Sequence, residues 1–511
     1  MSKSLLILFL LVHSVINFAI AQTENGFPGY DQFPAYIQDE IVAEVGSLKI
    51  SADEFFYSYE FGPAFVKKKP DSKNRHLSYM INEKLLAIDG YTRGIDTIEQ
   101  TKDYLHEFIS DLATEELFKQ DILSKVEILP SEIDTVINKK QIELEIKWLY
   151  SDSEEGIKDY LKKMNIGISF DSLFAAQISD SVFSDERYME TDRFKLEQKN
   201  PLLAKIIDSL KTGEVSVPVL VEDGWYIVKL NNVWENLITT EAEYEKLKQE
   251  AVNAVTKRKM DILSDQYVNE LMIDNQPVIK RNTFNFLRSY LGNYLLDPEK
   301  YKEWNLTSKL NEAIKNLNIS DKKEYADAVL VESKNRSFSL KDFLTWYRNR
   351  SLYIKLNKND LQNFSASLER LIWRMIRDRL LSERARSRGL DKTESVTKQA
   401  GWWKDKIISA VVKNEIANSM DVENNEIKTG RNPENETASV KASDEYTAKL
   451  LRKILLLKQK YSVVINEDTL DKIPVSVENN PKAVEFYTVK KGGLIPRTPY
   501  PTIDFDWVSW E

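Results

Sequence analysis

Residues 200–233 read NPLLAKIIDSLKTGEVSVPVLVEDGWYIVKLNNV. Leu210, Gly213, Glu214, Val215, Ser216, Pro218, Val219 and Gly224 punctuate this stretch, and its end, Trp225 to Leu230, predicts a closing strand. Working upstream, ISFDSLFAAQISDS (168–181) sets Phe170, Leu173, Ala175 and Ser179 on a helix. Before it, IELEIKWLYSDSEEGIKDYLKKMN (142–165) reads as a strand followed by a helix.

Together these strings resemble the parvulin-type (PpiC-type) peptidyl-prolyl isomerase domain. Parvulins carry "L-x-x-G-E-V-S-x-P-V-x-x-x-x-G" where this chain has Leu210 to Gly224, and "F-x-x-L" where it has Phe170 to Leu173. The resemblance implies a small antiparallel sheet flanked by helices over residues 142–236.

Rotation about a peptide bond faces a barrier of roughly 18–20 kcal/mol, because resonance makes the C–N bond partly double. An isomerase therefore needs no nucleophile, metal or cofactor. It needs an apolar socket for the proline ring and a site that favours the twisted amide over the planar one. The resemblance implies two strand histidines for that task, yet Trp148 and Tyr226 stand at those positions. The chain's histidines are His13, His76 and His106, all outside this domain. Lys199 and Leu203 align with the socket's methionine and phenylalanine. One reading is an isomerase working through shape and desolvation. The other is a parvulin fold kept for peptide binding or spacing. Trp148 and Tyr226 either pack as a small core that fills the cleft or form an aromatic peptide shelf.

Further towards the N-terminus, residues 41–60 read IVAEVGSLKISADEFFYSYE. A short hairpin, Ile41–Val45 and Leu48–Ile50, leads into a helix opened by a capping box, Ser51 to Glu54. A second helix is predicted over Leu77 to Tyr91, ending at Arg93-Gly94-Ile95, and a third over 96–124. Val126 to Pro130 is extended, and Ser131 opens another helix. This order resembles the chaperone module of the SurA/PpiC/PrsA foldases. After the isomerase-like domain, residues 239–275 predict a long amphipathic helix, with Val278-Ile279 extended beyond it. The resemblance makes 22–135 and 239–282 one helical module into which 142–236 is inserted.

An internal repeat follows. Phe338, Ser339, Phe343 and Tyr347 match Ile50, Ser51, Phe55 and Tyr59 at identical spacing. Met375, Ile376, Leu380, Leu381, Arg388, Gly389 and Asp391 match Met80, Ile81, Leu85, Leu86, Arg93, Gly94 and Asp96. LLLKQKYSVVINEDTLDKI resembles the first copy's closing helix and exit strand. Residues 328–475 are thus expected to form a second module without an isomerase insert, joined to the first by a helical linker over 283–327. The polar stretch 421–443 is expected to be disordered. The tail, 476–511, is rich in proline and aromatics, and it either docks on a module, caps a groove as a pseudo-substrate, or is disordered.

Met1 to Ala21 has an apolar run and an Ala19-Ile20-Ala21 end that predict a signal peptide cleaved after Ala21, and hence export to a periplasm. The 511 residues contain no cysteine, which excludes disulfides, thiolate metal sites and a lipid anchor of the lipoprotein kind. A net charge of -9 argues against a nucleic-acid partner, for which a basic face is the usual footprint. The fold class expected is α+β, mostly helical modules plus the inserted domain. The function expected is a chaperone for unfolded or nascent envelope and outer-membrane proteins, needing no cofactor or metal, with no stable membrane insertion. Its isomerase domain is expected to be weak or inactive. The alternatives are an active isomerase and a non-enzymatic assembly partner. Phe55, Phe56 and Tyr59, with Phe343, Trp346 and Tyr347 in the second copy, are the candidate peptide contacts, most of them expected in the core and a minority facing a client.

Overall fold

A computed structural model describes residues 37–178, 187–221, 223–317, 319, 322–350, 354–421, 433–476, 499–504 and 507, with backbone alone over 420–421 and 433–443. The expected signal peptide and most of the tail lie outside these residues. The fold is α+β. The chain divides into two compact units, Met1–Ile122 with Ser264–Glu511, and Leu123–Leu263.

The first unit opens with a hairpin, β1 (Ile41–Val45) and β2 (Leu48–Ser51), then helices α1 (Ala52–Glu60), α2 (Ser72–Thr92) and α3 (Glu99–Asp121). Val42, Val45, Ile50, Phe55 and Tyr59 are buried in one core with Leu77, Ile81, Leu85 and Ile88 of α2. Ser51 sits at the N-cap of α1, but its side chain makes no capping bond. Its hydroxyl donates instead to Asp53, and Glu54 turns inward to pair with Lys84 at 2.7 Å. The capping box expected at Ser51 is therefore absent, because a buried ammonium claims the glutamate. After α2 the chain turns at Gly94, whose φ of +72° suits glycine.

In the second unit, helix α4 (Pro130–Gln141) precedes β3 (Ile142–Ser151), α5 (Glu154–Asn165), α6 (Phe170–Gln177), β4 (Tyr188–Asp192), α7 (Arg193–Lys199), α8 (Pro201–Ile207), β5 (Val219–Val221) and β6 (Gly224–Glu235). The strands form one antiparallel sheet in the order β4-β3-β6-β5. Residues alternate across it. Leu144, Ile146, Val228 and Leu230 pack against Leu196, Leu203 and Ile207, while Leu149 and Ile227 pack against Ile157, Phe170 and Leu173. Helix α9 (Glu241–Asn275) follows, and its Ala251 and Val255 share a core with Val136 and Ile137 of α4. Residues 239–263 thus belong with the sheet's unit, not with the hairpin at the N-terminus as the sequence suggested.

The remainder of the first unit begins with β7 (Val278–Ile279), α10 (Arg281–Leu295) and α11 (Leu306–Leu317). A second hairpin, β8 (Val329–Ser333) and β9 (Arg336–Ser339), then leads into α12 (Leu340–Arg350), α13 (Leu361–Ser387) and α14 (Glu394–Asp421). Here the cap is complete: the Ser339 N–H donates to Asp342 Oδ2 at 2.7 Å, and the Asp342 N–H donates to Ser339 Oγ at 3.2 Å. Gly389 has the same φ, +72°, as Gly94. The chain ends its described part with α15 (Pro433–Lys460), β10 (Val463–Ile465), α16 (Glu467–Lys472) and the tail residues 499–504 and 507. Of the segment expected to be disordered, 422–432 lie outside the described residues, and from Pro433 onward the chain is helical.

Each hairpin takes its third strand from a distant part of the chain. β10 pairs with β1 (Ala43 with Ile465, Val45 with Val463), and β7 pairs with β8 (Val278 with Glu332, Ile279 with Val331). The sequence assigned each exit strand to its own copy, and the structure reverses both. A hairpin edge accepts any strand of matching pattern, and the two exits have the same pattern. The neighbouring helices decide. Leu450, Ile454 and Leu457 of α15 fill the first copy's core. Phe286, Leu287 and Leu291 of α10 fill the second, with Phe338, Phe343, Trp346 and Phe364.

Helices cross over likewise. Ile408 and Val412 of α14 enter the first core, where α2 presents Gly90 to Ile408. Buried ions pin this contact. Lys84 lies 2.7 Å from Glu54 and 2.6 Å from Asp405. Burial alone would lower the Lys84 pKa, but the two carboxylates raise it. Glu54 is fully buried and shares that ammonium with Asp405, so desolvation lifts its pKa to about 7. On the other side, Arg350 of α12 reaches Glu107 at 2.9 Å and Asp111 at 2.7 Å on α3, and Arg379 of α13 reaches Glu107 at 2.5 Å. Burial lifts Asp111 to about 6.

Candidate functional site

In the second unit, β3 and β6 run side by side, so Trp148 lies opposite Val228 and Tyr150 opposite Tyr226. Trp148 and Tyr226 are half-buried on one face of the sheet, against the core that contains Leu203. The Trp148 N–H donates to the Arg187 carbonyl at 3.0 Å, and its own carbonyl accepts from Gln177 Nε2 at 2.8 Å.

Tyr226 packs edge-to-face on Tyr150, with ring centres 5.3 Å apart. Its phenol donates to Asp223 Oδ2 at 2.7 Å, and the Tyr150 phenol donates to the Asp223 carbonyl at 2.8 Å. The Arg187 guanidinium lies 4.8 Å over the Tyr150 ring. Burial, then the Asp223 carboxylate, raises the Tyr226 pKa, so the phenol stays protonated and acts as a donor. The turn before β6 needs glycine. Gly224 has φ +152°, and a Cβ there would lie 2.6 Å from Tyr150 Cε2. The site is thus an aromatic ledge with one carboxylate and one guanidinium at its edge. Tyr150, Arg187 and Asp223 were not singled out in the sequence. Tyr150 was findable, since it lies two residues beyond Trp148 on the same strand face.

The other aligned positions do not form a socket. Lys199 is exposed at the end of α7, and Leu203 is part of the sheet's core. A separate cavity of about 420 Å³ opens between α4, α7 and α9. Val136, Phe194, Ala254, Val255 and Ile262 line it, and the ion pairs Lys139–Glu197 and Lys259–Glu132 stand at its rim.

The candidate peptide contacts in the first unit are mostly core. Phe55, Phe56, Tyr59, Phe343 and Trp346 are buried, and only Tyr347 is partly exposed. The helical spacing that marked them as an apolar face is the spacing of an inward face. Apolar side chains that reach solvent include Tyr290 and Tyr294 on α10, and Leu451, Leu455 and Leu456 on α15. Among the described residues no helix is long and apolar enough to cross a membrane, and no group of three acidic, histidine or cysteine side chains could hold a metal ion.

No family model matches the chain. Among curated proteins, it is similar to the chaperone SurA of Baumannia cicadellinicola, 36% identical over 86 residues, 16% of this chain and 20% of that protein. It is also similar to the foldase protein PrsA of Oceanobacillus iheyensis, 23% identical over 248 residues, 46% of this chain and 82% of that protein. The chain thus spans about a fifth of the SurA it matches. Among solved structures, PrsA from Streptococcus pneumoniae matches at 15% identity over 40% of this chain and 86% of that one, with a TM-score of 0.21. PrsA from Bacillus subtilis matches at 19% identity over 45% and 93%, with a TM-score of 0.17. The chain is SurA/PrsA-like in sequence.

Proposed function

We propose that this protein is an exported chaperone that holds unfolded envelope or outer-membrane polypeptides, and that its parvulin-like domain binds peptide without conventional isomerase activity. The observation that carries this reading is the ledge of Trp148, Tyr150 and Tyr226, built where the resemblance implies histidines. Flat aromatic faces with a phenol and a guanidinium at the edge offer an extended peptide contact area and hydrogen bonds, but no imidazole pair. The cavity between α4, α7 and α9 adds an apolar floor for a client side chain. Exposed Tyr294 and Leu455 supply weak apolar contacts that need no energy source. Likeness to SurA and PrsA supports the same reading.

The test has two arms. The purified chain should suppress aggregation of a urea-unfolded outer-membrane protein at near-stoichiometric ratio, and should leave the cis/trans exchange of a proline tetrapeptide at its uncatalysed rate. Failure to suppress aggregation removes the chaperone reading. A catalysed exchange rate makes the domain an active isomerase.

A further inference from the structure

In the first unit, tail residues 499–504 lie along a groove between α1, α2 and α14, in neither helix nor strand. Side chains of the groove meet its backbone. The Trp403 indole N–H donates to the Pro499 carbonyl at 2.9 Å, and the Asp504 N–H donates to Glu83 at 3.2 Å. Tyr500 stacks on Tyr57, with ring centres 4.2 Å apart, beside Phe61 and Trp402. Pro501 and Thr502 roof a cavity of about 30 Å³ whose walls include Glu54, Lys84, Asp405 and Lys406. Asp504 pairs with Lys406 at 2.9 Å and with Lys413. Trp507 is fully buried, stacked on Tyr79 at 5.7 Å, with the Lys413 ammonium over its ring.

The repeat gives this arrangement its meaning. In the second copy Trp346 donates its indole N–H to Asp378 at 3.0 Å, with Arg350 over its ring. Counting from the serines that open α1 and α12, the first-copy counterpart of Trp346 is Ser58. Counting from Met80 and Met375, the counterpart of Asp378 is Glu83. Glu83 also accepts an indole N–H, at 2.9 Å, but from Trp507. The first copy therefore keeps the carboxylate and has a cation for an indole, yet its own helix contributes a serine. The socket is filled by a residue from far along the chain.

We propose that this groove is a peptide-binding site, and that the tail is its internal occupant. Its ligand class is an extended polypeptide with an aromatic residue beside proline, an acidic residue four positions on, and a tryptophan three beyond that. Client segments of that chemistry displace the tail. This deepens the chaperone reading and rests on it.

The test uses the full chain and a fluorescein-labelled peptide with the sequence of residues 499–511. In the double variant Asp504→Lys, Trp507→Ala the tail leaves, and peptide affinity measured by anisotropy should rise roughly tenfold over wild type, because an occupied site reduces apparent affinity by its open fraction. Adding Tyr57→Ala in the groove should reverse the gain. Adding Lys413→Glu should also reverse it, and a peptide carrying lysine at the Asp504 position should restore it. A double variant that melts like wild type but takes up no more peptide overturns the proposal. So does one that loses the first unit's fold, since the tail would then be a structural part. Aggregation suppression is measured on the same samples. Suppression without peptide uptake leaves the chaperone reading and removes this inference. Peptide uptake without suppression does the reverse.

Discussion

Lys84 and Asp405 lie 2.6 Å apart, so a lysine of α2 is neutralised by a carboxylate of α14, more than 300 residues further along the chain. Both are largely buried, and Glu54 takes the ammonium's other side. Removing one partner of a buried ion pair leaves an uncompensated charge. Lys84→Met should therefore cost the first unit about 3–5 kcal/mol at pH 8, read from its urea unfolding transition. The loss should shrink at pH 5, where Glu54 can take up a proton.

The same cluster sets a pH dependence. Glu54 has a folded pKa of about 7 against an ordinary 4.5. Between these values the folded chain holds a proton that the unfolded chain has released. Its contribution to stability is thus fully present below 4.5 and is lost as pH rises through 7. His76 behaves oppositely. It is fully buried, lies 3.0 Å from the Ser58 hydroxyl, and burial lowers its pKa to about 3. The unfolded chain binds that proton first, so stability is lost as pH falls from 6.5 towards 3. Glu54→Gln should remove the first slope and His76→Gln the second, in unfolding midpoints measured from pH 3 to 8.

Gly90 marks where α14 closes on α2. A Cβ there would run into the Cγ2 methyl of buried Ile408. Gly90→Val should cost about 1–3 kcal/mol through overpacking. Gly90→Val with Ile408→Ala should recover part of that loss, because the second change makes room for the first. Equal thermal melts for wild type and Gly90→Val would show that the helices do not meet so closely.

Much of this architecture was legible in the sequence. The hairpins, the long helices and the Arg-Gly-Ile/Leu-Asp turns appear where periodicity and glycine put them, because those signals are local. Gly94 and Gly389 even share a φ angle. The exchange was not legible. Val278-Ile279 and Val463–Ile465 are both short apolar strands after a long helix, and only the helices packed around each choose the partner. Which of Phe55, Phe56, Tyr59, Phe343, Trp346 and Tyr347 would reach solvent was not legible, since an inward face and an aromatic binding face have the same spacing; Tyr347 alone is partly exposed. At the ledge, Trp148 and Tyr226 were legible by alignment. Arg187 and Asp223 were not, because their roles depend on folding two turns onto one strand pair.

The exchange itself can be tested in a chain with no native cysteine. Glu44 lies directly opposite Val464 in the sheet, and both are exposed. Val278 is exposed too, but it pairs with Glu332. Antiparallel partners are about 5 Å apart at Cβ, within reach of a short bismaleimide. Glu44→Cys with Val464→Cys should therefore cross-link in high yield, seen as a joined peptide by mass spectrometry after digestion. Glu44→Cys with Val278→Cys should not, and Glu332→Cys with Val278→Cys should. The unexchanged arrangement predicts the opposite result for the first two pairs. The choice matters for function, because exchanged strands tie both hairpins into one unit. Two self-contained hairpins could open separately, whereas the exchanged strands couple the opening of one to the other.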